Sequence, residues 1–152
     1  MDNPFHTTGL RHGTDDPRGL RERIEAQLTE RIDEAVEMAA LHLLVELRKR
    51  HGRPAPESDN SNDRDEFTAL AADLLAYLGE AFAAELGADQ RRELDQASAG
   101  VDARARGLSG QVFLSKRIPD YWQRFEAHRA AHAEARLNSP DRSGGLFKRL
   151  FR

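Results

Sequence analysis

The sequence predicts an all-α protein, a bundle of three or four helices with flexible N- and C-terminal tails, and three observations carry that prediction. Composition comes first: 39% apolar, 32% charged and only 7% aromatic residues make an Ala/Leu/Glu/Arg-rich mixture that suits amphipathic helices better than sheets. Periodicity follows, because apolar residues recur at three- and four-residue spacing through most of the chain. Proline, glycine and Ser/Asp/Asn clusters then divide the periodic stretches from one another. A chain of 152 residues has room for one domain with a substantial core. We place a flexible tail at 1–15, the bundle at 16–137 with a loop at 53–62, and a flexible linker with an amphipathic peptide at 138–152.

Asp16-Pro17 starts the first helix, with a capping carboxylate followed by a proline where no N–H partner is needed. Leu20, Ile24, Leu28, Ile32, Val36, Ala40 and Leu44 then share one stripe, and His51-Gly52 ahead of Pro54 ends it. The two halves differ. From Arg18 to Glu34 a narrow apolar seam runs among charges, whereas Met38 to Leu47 is apolar nearly all round. The second half is therefore the expected core, and the first an arm that protrudes or pairs with another subunit.

The segment 53–62 reads as a flexible acidic loop. Its Asp59-Asn-Ser-Asn-Asp63-Arg-Asp65 run alternates oxygen ligands like a calcium loop, but Arg64 stands where glycine is needed and Leu70 where glutamate is. The next helix begins near Asp63, spaced from Glu66 as in a capping box, and Phe67, Leu70, Leu74, Leu75, Leu78 and Phe82 line its face until Gly87. A thinner stripe, Leu94, Ala97, Val101 and Ala105, predicts a third helix over 89–106, interrupted by Gly100 and stopped by Gly107. Leu108 to Ile118 fits either a short strand or a helical turn, with Pro119 turning Ile118 away from helix. A last helix runs from about Asp120 to Leu137, and Asn138 to Gly145 is a linker.

Charge and cysteine usage exclude several function classes. A formal net charge of −3 argues against a general nucleic-acid binder, and the absence of cysteine removes disulfides and thiol chemistry. The N-terminal residues hold no apolar stretch of the kind a signal peptide needs, and the longest apolar run, Met38 to Val45, is far short of the roughly 20 residues of a spanning helix. These features predict a cytoplasmic protein that meets a membrane only from its surface.

Candidate chemistry is sparse. His128 and His132 are four apart on the last helix, and His42 and Glu46 repeat that spacing on the first, as metal-binding bundles do. Two ligands do not make a site, and histidines at such boundaries more often pack and hydrogen-bond, so no metal or other cofactor is assigned and a His-liganded metalloprotein stands as an alternative function. Tyr121, Trp122 and Phe125 lie beside Lys116, Arg117, Arg124 and Arg129, a mixture able to stack bases and hold phosphates. Tyr121, Phe125, His128 and His132 nevertheless form one stripe with Trp122 at its edge, so the cluster reads better as a core-facing or partner-facing surface. No phosphate loop, nucleophile elbow or pair of carboxylates on an apolar face is present. The expectation is a protein that is not an enzyme.

The C-terminal residues carry the clearest functional signal. Wound as a helix, Leu146, Phe147, Leu150 and Phe151 share one stripe while Lys148, Arg149 and Arg152 project from its flanks. From Asp141 to Arg152 four bases stand against Asp141 alone, while five acids face Arg64 alone between Glu57 and Glu66. Gly145 to Phe151 resembles the C-terminal membrane-targeting sequence of MinD-type division-site ATPases, a short basic amphipathic helix that lies on anionic lipid. The resemblance covers those residues only and implies a mode of attachment. Nothing upstream resembles the ATPase.

Burying the four apolar side chains gains about 6–10 kcal/mol gross, three cations near anionic lipid add roughly 1 kcal/mol each, and ordering eight residues costs about 8–12 kcal/mol. One such tail binds weakly, and two on one homodimer bind far better through effective concentration. The sequence thus points to a dimeric bacterial adaptor or regulator docked reversibly on the inner membrane. Two other fates of the tail stay open: a groove on a partner protein or assembly, and the protein's own bundle.

Overall fold

Regular hydrogen bonding in the computed structural model, which describes residues 19–138, produces α1 (Leu20–Arg50), α2 (Ser61–Ala83), α3 (Ala88–Ala97), α4 (Ala103–Arg117) and α5 (Tyr121–Leu137). The class is all-α, with no strand among the described residues. The described residues form five helices, against the three or four expected. The two C-terminal readings, 138–145 as linker and 145–152 as docking peptide, lie outside the described residues apart from Asn138, as does the N-terminal tail.

α1 starts at Leu20, a turn later than Asp16-Pro17 suggested, with Glu22 Oε2 accepting from the Gly19 N–H at 3.1 Å. Its last turn stacks Arg48, Lys49 and Arg50 on the negative end of the helix dipole. Gly52, at φ 65°, then takes the left-handed conformation that ends the helix, as read from the sequence. The expected arm is short. Leu20 and Ile24 are exposed, but Ile32 is fully buried, and Asp33 and Glu37 both accept from Arg104 of α4.

The loop after α1 departs from the flexible segment expected. Arg48 is 4% exposed and donates to the Pro54 carbonyl at 3.1 Å, to Asp63 at 2.6 Å and to Glu66 at 2.7 Å. Asp63 accepts from the Glu57 N–H as well, so the loop is laced onto a buried cation. The cap of α2 is consequently Asn60, whose Oδ1 accepts from the Asp63 N–H, and the Asp63 carboxylate is occupied elsewhere.

The third predicted helix is two helices. Ser98 turns its hydroxyl back onto the Leu94 carbonyl and leaves helical geometry, and Asp102 Oδ1 caps a new start by accepting from the Ala105 N–H. The stretch read as strand or turn forms the last turns of α4, with Gln111, Val112 and Leu114 buried. Gly107, read as a stop, sits inside α4 where a Cβ would come within 2.7 Å of Leu75 Cγ on α2. It sets a close helix approach. Gly107→Ala gains about 1 kcal/mol of helix propensity but overpacks a core contact at a cost of typically 1–3 kcal/mol. We expect a net loss of about 1 kcal/mol in urea unfolding; a stabilised variant would contradict this approach of α4 to α2.

α1 packs against α2, α4 and α5, α2 also against α4 and α5, and α3 against α4. Arg31 lies over the Trp122 ring and Arg50 donates to the Leu137 carbonyl, so α1 and α5 run parallel. Arg48 meets the start of α2, and Lys116 at the end of α4 meets Glu25 early in α1, so α2 and α4 both run the opposite way. The core they enclose is aliphatic in its middle, around Val36, Leu44, Leu74 and Leu78, and aromatic toward the α5 N-terminus, where Phe82 stacks on Tyr121 at 5.3 Å.

Candidate docking surfaces

Of the three residues proposed as a partner surface, two are interior. Tyr121 and Phe125 are 2% and 4% exposed, and Tyr121 donates its hydroxyl to Gln111 Oε1 at 2.7 Å. Burial pushes the Tyr121 phenol well above its ordinary range, so the group is a neutral donor at any physiological pH. Trp122 stays half-buried at the edge, with the Arg31 guanidinium 4.4 Å from its ring centroid. Tyr121, Phe125 and His132 thus face the core, and His128 and Trp122 are half-buried.

The cations beside the aromatics are spoken for by carboxylates. Lys116 pairs with Glu25, Arg117 bidentately with Glu93 at 2.9 Å, Arg124 with Asp120 and Glu85, and Arg129 with Glu126. The Arg117 fork holds the Glu93 carboxyl below the usual range, and Arg129 does the same to Glu126. With Tyr121 and Phe125 inside the core, neither ring is free to stack a base.

The two histidines of α5 do not converge. His132, 5% exposed, faces Asp73 Oδ2 at 2.8 Å and tilts against Tyr77, and Arg136 shares that carboxylate at 2.9 Å. His128 sets its ring edge-on to Phe82, with Nε2 3.2 Å from Glu85 Oε2 but not aligned for a hydrogen bond. His42 is exposed on α1. No group of three His, Cys, Asp or Glu side chains among the described residues is placed to hold a metal ion.

The surface that sequence reasoning missed is a groove between α1 and α5. Ala35, Met38, Ala39 and His42 form one wall and Trp122, Phe125, Glu126 and Arg129 the other, around a volume of about 400 Å³. Its signal was present in the sequence. A helix that is apolar nearly all round, as α1 is from Met38 to Leu47, has more apolar surface than three neighbours cover: Met38, Val45 and Leu47 are left half-buried, and Met38 lines this groove.

α5 continues eight residues past this groove. α5 closes at Leu137, whose carbonyl accepts from Arg50 Nη1 at 3.1 Å, and Asn138 is the last described residue. No helix of the described residues is long and apolar enough to cross a membrane. Compared with protein-family models, curated proteins and solved structures, the chain matches none.

Proposed function

We propose that the protein is a non-enzymatic helical adaptor or regulator of the bacterial cytoplasm, docked reversibly on the inner membrane surface through Leu146 to Arg152. One observation carries the reading: four large apolar side chains beside three cations, placed after a Gly/Ser-containing linker. The bundle supports it indirectly. The cations flanking its aromatic cluster are engaged with carboxylates, so that cluster offers anionic lipid little, whereas Lys148, Arg149 and Arg152 adjoin an apolar stripe of their own. Self-association into a dimer would present two tails and multiply a weak attachment.

Co-sedimentation with vesicles containing anionic phospholipid tests this. The full chain should pellet with anionic vesicles, less so in high salt, and the double variant Phe147→Ser/Phe151→Ser should lose at least tenfold in partitioning, because each Phe supplies roughly 1.5–3 kcal/mol of burial. Equal binding to neutral vesicles, or none to anionic ones, would sink the proposal. In the second case a groove on a partner protein becomes the better reading of the same tail.

A further inference from the structure

We infer that the α1–α5 groove is the docking site of the chain's own C-terminal segment, Leu146 to Phe151, when the tail is off the membrane. The inference rests on the tail being a docking peptide, though not on lipid being its other partner.

Reach is the first argument. α1 and α5 run parallel and end together at Arg50 and Leu137, and the near end of the groove, His42 and Arg129, lies eight residues back on each helix. That distance is about 12 Å at the helical rise of ~1.5 Å per residue. Residues 139–145, seven in number, span up to ~23–25 Å when extended. The tail therefore reaches the groove with slack to turn back, and the groove's far end at Trp122 is about 22 Å from Leu137.

Size and chemistry agree. From Trp122 to Arg129 the groove is about 10 Å long, and Leu146 to Phe151 wound as a helix is about 9 Å long. Met38, Ala35, Ala39 and the edges of Trp122 and Phe125 offer an apolar floor to the Leu146/Phe147/Leu150/Phe151 stripe, in a volume of about 400 Å³. Around that floor the exposed Glu126 on α5 and the half-exposed Glu46, one turn beyond the α1 wall, are shared with Arg129 and Lys49 and leave carboxylate oxygens at the rim within reach of the tail's cations. Arg31 and Arg129 are drawn down onto Trp122 and Glu126 and so face the peptide with their charge partly countered.

Tethering makes a weak site sufficient. A short linker gives an effective concentration on the order of mM, so a groove affinity on the order of 0.1 mM keeps the tail mostly docked. Release then requires a competitor for the same apolar stripe, and an anionic membrane is one. The groove and the bilayer compete for Phe147 and Phe151.

Trp122 is the chain's only tryptophan, so its fluorescence reports on the groove. Without lipid, the full-length Phe147→Ser/Phe151→Ser chain should show red-shifted Trp122 emission and greater acrylamide quenching than the unaltered chain. Adding a synthetic peptide of residues 145–152 to that variant should reverse both changes saturably. Met38→Glu, at a half-buried position, should leave far-ultraviolet circular dichroism intact and abolish the reversal. Identical Trp122 emission and quenching in the unaltered and double-variant chains, or a peptide that restores nothing, overturns the inference. Anionic vesicles form a separate arm. If they raise Trp122 quenching in the unaltered chain to the variant's level, groove and membrane share the tail; if quenching differs between the chains but vesicles change nothing, the groove stands and the membrane reading falls.

Discussion

Phe82→Ala should lower stability by about 3–5 kcal/mol, the largest loss expected from a single core residue, because it opens a cavity where aromatic contacts converge. Phe82 is fully buried, stacks on Tyr121 at 5.3 Å with 12° between ring planes, and meets the His128 ring edge-on at 4.9 Å. It joins the end of α2 to the start of α5, so its removal leaves Tyr121 with its Gln111 hydrogen bond and a void beside it. Thermal unfolding followed at 222 nm should show a melting temperature lower by roughly 10–20 °C. Phe113→Ala, at a half-buried site under the Arg117 guanidinium, is the control and should cost less than half as much. Equal effects at the two positions would mean that the aromatic end of the core is not packed as described.

The second large effect belongs to Arg48. Arg48→Met keeps the aliphatic stem but removes the donor shared by Asp63, Glu66 and the Pro54 carbonyl. Breaking a fully buried ion pair costs about 3–5 kcal/mol; here both carboxylates can recover water, so about 2–3 kcal/mol is expected. The acid limb of stability carries the signature of this network. The Arg48 guanidinium, helped by the Glu57 N–H, holds the Asp63 carboxyl below the usual carboxylate range. A carboxyl lowered in the folded state contributes stability above its unfolded value of about 3.9, and that contribution is lost as the pH falls through the folded value. Urea midpoints of the unaltered chain should therefore drop below about pH 4, and the Arg48→Met chain, lower at neutral pH, should show a shallower acid decline. Parallel pH profiles for the two chains would count against the network.

Why one arginine escaped the sequence reading is instructive. Ile32, Val36, Ala40 and Leu44 set a four-residue stripe, and Arg48 is its next member, so position alone placed it against the core. Residue type argued the other way, and the acids that make its burial tolerable come 15 and 18 residues later. Helix class, the stop at Gly52, the faces of α2 and the extent of α5 were legible because each rests on local periodicity or local turn chemistry. The α3–α4 region was not. Gly107 reads locally as a stop, and only the nearness of Leu75, on another helix, makes it a packing residue. The α1–α5 groove was half legible: the excess of apolar surface on α1 shows in sequence, while the wall that faces it depends on which helix packs alongside.

The parallel pairing of α1 and α5 also bears on how the chain is made. Asp33 of α1 waits for Arg104, 71 residues later, and the Leu137 carbonyl that Arg50 holds comes 87 residues after it. At ribosomal speeds of roughly 5–20 residues per second, the Met38–Leu47 segment spends several seconds outside the exit tunnel before its last covering helix arrives. During that interval the most apolar stretch of the protein is available to chaperones and to neighbouring nascent chains. Yield in the cell should then depend on the translation rate through α4 and α5, even for variants whose finished fold is as stable as the original.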